Sequence, residues 1–197
     1  MTSKENLTQH DVLVASDNEW QREARLLQAR WRERHDLPVG LHRGLPFGSR
    51  LAMPYAKDAL ATFMTATIRD VVRAEVLDPV MSAGKVYEEP RIYDNLLTSQ
   101  ALCFNLFGEL QRDLGLASKA VGSLLGDPAL VVTAIEFEYS PGRSDPRFTA
   151  DKTAFDVFIL YTSGDGRGFL GIEIKYAEDL SEDPPGIGPA TKSWPRP

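Results

Sequence analysis

A chain of 197 residues, 43% of them apolar, is long enough for one ordinary domain with a buried core and a tight fit for two independent ones. Its net charge of −6 excludes the global basic field of many nucleic-acid binders, although a metal-dependent site needs only local acid and a local basic track. Cys103 is the only cysteine, which excludes an internal disulfide, and neither a signal peptide nor about 18 consecutive apolar residues is present, so a cytoplasmic protein without a membrane partner is expected.

The first fifteen residues are polar and read as an arm. Ser16 with Glu19 reads as a capping box opening a helix to about His35, with Trp20, Ala24, Leu27 and Trp31 on one stripe. Arg22, Arg25, Arg30, Arg32 and Arg34 occupy its other faces, either as phosphate contacts or as an ordinary solvated surface. From Asp36 to Pro54 the prolines and glycines predict a connector. A second helix is expected from Tyr55 to about Val76, broken near Thr65, and Pro79 and Gly84 end it.

A third helix is expected from about Asp94 to Leu114, stopped by Gly115, with Gln100 and Asn105 as its notable polar residues. Cys103 reads as a small buried hydrophobe and not a nucleophile, because His10, His35 and His42 all lie near the N-terminus. Leu116 to Leu125 reads as a short helix or loop, and Ala129 to Tyr139 as a strand. Glu136 and Glu138 share one face of that strand, either as metal ligands or water-positioning bases, or as the solvent side of an edge. Arg143, Arg147 and Lys152 follow in a loop where a phosphate contact is conceivable.

Thr153 to Tyr176 then reads as two strands joined by a turn of Ser163, Gly164, Asp165, Gly166, Arg167 and Gly168. Alternation places Phe155, Val157, Ile159 and Tyr161 on one face and Asp156 on the other, and Glu173 and Lys175 together across the second strand. If the register pairs Asp156 with Glu173 or Lys175, three charges meet on a mostly apolar sheet. A structural salt bridge accounts for that pattern, and so does a site in which the carboxylates match a divalent cation for phosphodiester hydrolysis.

Asp156, sixteen residues, then Glu173-Ile174-Lys175 on the second strand of a hairpin resembles the active-site pattern of the PD-(D/E)XK nuclease superfamily, the restriction-endonuclease-like fold. Arg91-Ile92-Tyr93-Asp94-Asn95-Leu96-Leu97-Thr98-Ser99-Gln100, Cys103-Phe104-Asn105-Leu106-Phe107-Gly108 and Phe137-Glu138-Tyr139-Ser140-Pro141-Gly142-Arg143 are similar to a bacterial branch of it. The resemblance implies an α/β (α+β) fold, helices packed on a small mixed sheet with a three-stranded antiparallel meander. It implies Mg²⁺- or Mn²⁺-dependent hydrolysis of DNA, with Asp156 and Glu173 on the metal and Lys175 orienting or activating the attacking water. By the same resemblance Glu138 and Gln100 are candidate site residues.

After Tyr176 the chain departs from that pattern. Five prolines between Pro184 and Pro197 cannot build the superfamily's next helix and strand, so the chain reads as truncated. The expected organisation is an arm with an amphipathic helix (1–40), a nuclease-like domain (41–180) and a Pro/Gly-rich tail (181–197). The alternative to an enzyme is a catalytically silent binding or interaction module. A metal-dependent enzyme on a small phosphorylated substrate is a weaker third reading, because the glycines at 164–168 lead into a strand and not a helix N-terminus.

Overall fold

In a computed structural model, residues 2–142, 145, 147 and 153–177 are described. The chain opens with α1 (Lys4–Gln9) and α2 (Glu19–Arg34). The cap of α2 lies two residues later than Ser16. The Asn18 side chain accepts the Gln21 N–H, and the Gln21 side chain accepts the Asn18 N–H, both at 2.9 Å. Two faces of α2 are used: Ala24 belongs to the main core, while Leu26 and Ala29 pack with Leu7 and Val12. Trp20 and Leu27, expected on the buried stripe, are exposed.

The stretch expected to be a connector is an antiparallel hairpin, β1 (Val39–His42) and β2 (Leu45–Leu51). Arg43 and Gly44 both take positive φ, the conformation of a two-residue hairpin turn. The other glycines serve close approach and not flexibility. A Cβ on Gly40 would lie 2.3 Å from the Leu51 carbonyl oxygen, and one on Gly48 only 2.0 Å from that of His10.

The second expected helix does break at Thr65. A turn, α3 (Tyr55–Asp58), is followed by α4 (Ala66–Val72), whose N-cap is the Thr65 hydroxyl, and by a π turn over Arg73–Leu77. A separate turn, α5 (Arg91–Asp94), precedes the third, which starts later than expected, as α6 (Ser99–Arg112). Gly115 does not stop it. Asp113 accepts the Leu116 N–H at 2.8 Å and so opens α7 (Leu114–Leu125), which ends instead at Gly126 with φ +70°. No helix among the described residues is long and apolar enough to cross a membrane.

The sheet is β3 (Val131–Tyr139), β4 (Phe155–Ser163) and β5 (Gly166–Ile172), antiparallel in the order β3-β4-β5, so the fold is α+β with a three-stranded meander. One face packs on α6 and α7 through Val132, Ile135, Phe137, Val157 and Ile159. At the centre Phe104 of α6 stacks on Phe137 of β3 at 4.2 Å and meets Phe63 edge-on at 6.0 Å.

The opposite face carries a row of stacked aromatics, Tyr139, Phe155, Phe158 and Phe169. Phe155 was expected beside Val157 on the inner face, but its ring lies over Gly171, the cross-strand partner of Phe158. Strict alternation therefore fails at the end of β4. Opposite that point Glu138 takes φ +50° on β3 and turns Tyr139 to the outer face as well. A non-glycine residue in this region stores about 1–3 kcal/mol of strain, which the surrounding packing must offset.

Candidate active site

The irregular end of the meander is where the charged residues collect. Phe137 pairs with Val157 and Tyr139 with Phe155, which sets Glu138 opposite Asp156. Val157 pairs with Ile172 and Phe158 with Gly171, so the same register carried one residue further sets Asp156 opposite Glu173. Directly opposed residues have Cβ atoms about 5 Å apart. Glu173 and Lys175 themselves lie just past the last residue of β5, not within it as alternation implied.

Each group has a defined partner. Asp156 Oδ2 accepts the Ile174 N–H at 2.6 Å, which pins the segment after β5 onto β4. Lys175 Nζ sits 2.6 Å from Glu173 Oε1, both side chains about half exposed, so the pair is worth at most about 1 kcal/mol. Gln100, in the first turn of α6, is half-buried and works as a hub. Its amide oxygen accepts the Glu88 N–H at 3.0 Å, while Nε2 donates to the Val86 carbonyl at 2.9 Å and to Glu138 Oε1 at 3.2 Å.

The electrostatics report the same convergence. Burial pushes the Cys103 thiol well above its ordinary 9.0, and the fields of Asp156, Glu138 and Glu173 push it further the same way. Three carboxylates, on two strands and the segment after β5, therefore lie close enough to Cys103 of α6 for their fields to reach it. Glu136, expected to share a face with Glu138, pairs with Phe158 of the outer row instead, because the positive φ at Glu138 breaks the alternation.

Two groups here were not singled out from sequence. The Tyr87 phenol is pushed upward by burial first, then by Glu75, Glu138 and Cys103, and its oxygen is buried without a hydrogen-bond partner among the described residues. Glu75, buried on the π turn, pairs with Lys85 at 2.6 Å and accepts from Gln111 Nε2 at 2.8 Å. The sequence signal for Glu75 is a carboxylate at a position where the Ile68, Val71, Val72 and Val76 periodicity demands an apolar residue.

Other candidates are occupied elsewhere. Arg25 pairs with Asp17 at 2.6 Å, Arg30 donates to Asn6, and Arg32 donates to the Gly48 and Leu37 carbonyls, so these arginines brace the fold. Asn105 bonds to Met64 N–H and the Thr62 carbonyl. Arg147 pairs with Asp145, while Arg143 and Lys152 lie outside the described residues.

The family model of the PD-(D/E)XK nuclease superfamily matches residues 15–193, a span that includes Asp156 on the middle strand and the Glu173-Ile174-Lys175 segment just past its neighbour. The chain belongs to the PD-(D/E)XK nuclease superfamily. No curated protein and no solved structure matches it significantly. Superfamily nucleases generally use divalent metals. The donor set here suits such a hard cation, being carboxylate oxygens, with Lys175 beside Glu173. Among the described residues no group of three or more His, Cys, Asp and Glu side chains is gathered tightly enough to enclose one. As carboxylates, Asp156 and Glu173 are chemically suited to a small cation that keeps several of its waters.

Cys103 provides a check on this electrostatic picture. A thiol buried and raised in pKa should react negligibly with an aromatic disulfide reagent at pH 8 in the folded protein and fully after unfolding. Because the folded value is raised, the thiol contributes stability that is fully present below its unfolded value near 9.0 and is lost as pH rises from there through the folded value. Rapid reaction of native protein at pH 8 would contradict the geometry.

Proposed function

We propose that the protein is a divalent-metal-dependent phosphodiesterase acting on DNA. The observation that supports this is the 2.6 Å bond from the Ile174 N–H to Asp156, which holds the Glu173-Ile174-Lys175 segment beside β4, with Lys175 at 2.6 Å from Glu173. Asp156 and Glu173 are the residues to hold Mg²⁺ or Mn²⁺. When bound, such an ion polarises a phosphate and lowers the pKa of its water. Asp156 further fixes the backbone at Ile174 and so the spacing between Glu173 and Lys175.

Lys175 supplies an ammonium beside the scissile phosphate, to orient the attacking water and offset developing charge. Glu138 stands ready to take up a proton from that water, and Gln100 holds one of its oxygens in place. The choice of nucleic acid, and of DNA, rests on superfamily membership and not on the net charge.

A second reading, a catalytically silent interaction module, is favoured by one observation: the absence, among the described residues, of a closed set of three metal-binding side chains. Calorimetric Mn²⁺ titration decides between the two. Binding by the wild type that is lost in a folded Glu173→Ala variant supports the enzyme, and cleavage is then assayed on plasmid, linear DNA and RNA. A well-folded wild type that ignores Mn²⁺ supports the module.

A further inference from the structure

Glu173 and Lys175 lie beyond the ladder of β5, so something other than strand pairing must hold them. One restraint is the Ile174 N–H bonded to Asp156. The buried Ile174 side chain is a second. The next two residues are gripped from the far side of the chain by α2. Trp20 Nε1 donates to the Tyr176 carbonyl at 3.0 Å, Gln21 Nε2 donates to the Ala177 carbonyl at 2.8 Å, and Gln28 Nε2 donates to the Tyr176 hydroxyl at 2.6 Å.

Gln21 and Gln28 are seven residues apart, two helical turns, and therefore share one face. Trp20 adjoins it at the helix N-terminus. Gln21 is fixed in turn because its amide oxygen closes the cap of α2 at Asn18. The helix is anchored independently of the meander, through Arg32 to the Gly48 and Leu37 carbonyls, His10 to Glu33, and Leu26 and Ala29 in their own cluster. It is thus a fixed post against which a free-running segment can be set.

We infer that α2 is a clamp, in which Trp20, Gln21 and Gln28 are positioning residues that hold the Glu173-Ile174-Lys175 segment at its spacing from Asp156. The link to metal binding rests on the function proposed above. The clamp itself does not. This gives the amphipathic helix 19–34 a role in the site while none of its side chains needs to touch substrate.

The test uses the full chain carrying Gln28→Leu, Tyr176→Phe, both together, and Gln28→Glu, which can accept a bond from the Tyr176 hydroxyl. Two quantities are read: amide hydrogen exchange of the peptide spanning 170–177, and Mn²⁺ affinity. Gln28→Leu and Tyr176→Phe should each raise exchange in that peptide several-fold with β3, β4 and α6 unchanged. Each should weaken Mn²⁺ binding about tenfold, as is typical when the support of a metal ligand is removed. The double variant should be no worse than either single, and Gln28→Glu should restore both readouts.

Unchanged local exchange in Gln28→Leu overturns the clamp. Raised exchange with unaltered Mn²⁺ affinity overturns its role in setting the site. If the wild type binds no Mn²⁺, the proposed function fails, and exchange alone decides the clamp.

Discussion

Asp156→Asn is expected to reduce DNA cleavage about a thousandfold or more and to bring Mn²⁺ binding below detection, while leaving the melting temperature unchanged or slightly raised. The amide still offers an oxygen to the Ile174 N–H, so the 2.6 Å bond that ties Glu173 and Lys175 to β4 has a replacement acceptor. What disappears is the negative charge, and an electrostatic group acting on a developing phosphate charge in a half-dry site is commonly worth two to three orders of magnitude, about 3–4 kcal/mol.

Stability should move the other way. Asp156 lies opposite Glu138 on β3, with Glu173 just past β5, so removing one of these like charges is expected to relieve repulsion by at most about 0.5–1 kcal/mol. A plasmid nicking assay and scanning calorimetry on the same preparation separate the two effects. Cleavage within tenfold of wild type would remove Asp156 from the mechanism. A large loss of stability would mean the carboxylate is a structural partner first.

Phe104→Ala is expected to cost about 3–5 kcal/mol, the largest single effect on folding among the residues considered. Phe104 is 1% exposed, stacked on Phe137 at 4.2 Å, edge-on to Phe63 and 6.0 Å from Tyr87, so it joins α6 to β3 and to the helices before it. For a chain of this size each kcal/mol is worth roughly 2–4 °C, which puts the fall near 10 °C. Phe104→Leu refills much of the volume and should recover about half of it.

Because Phe137 immediately precedes Glu138, the alanine variant should also loosen the Gln100 to Glu138 bond. Activity should then fall even at temperatures where the variant is fully folded. A melting temperature within 3 °C of wild type would mean the core closes over the cavity.

The meander was legible in the sequence because a strand is a local object. Alternating apolar residues over 131–139 and 155–161, and a glycine-rich turn, are enough to specify the strands and the β4–β5 hairpin, while the pairing of β3 with β4 is what the family resemblance implied. Asp156, Glu173 and Lys175 stood out for the same reason, as charges where the pattern called for apolar side chains. The hairpin at 39–51 was hidden because its glycines and prolines look like a connector until their neighbours are known. Gly40 and Gly48 are small so that Leu51 and His10 can approach. The restart of the chain as α7 directly after α6 was hidden because Asp113, as a cap, outcompetes Gly115 as a stop.

By itself, then, the sequence determined the strands and the three charged residues at the end of the hairpin, which depend on neighbours within about twenty positions, and carried the family resemblance that implies the fold class. Only the tertiary structure decided that Glu138 and not Glu136 turns toward Cys103, that Gln100 holds it, and that α2 grips Tyr176 and Ala177 from more than 140 residues away. The physical reason is that these depend on a left-handed backbone at one residue and on hydrogen bonds between segments brought together by the packed core. Neither leaves a periodic trace in the order of amino acids.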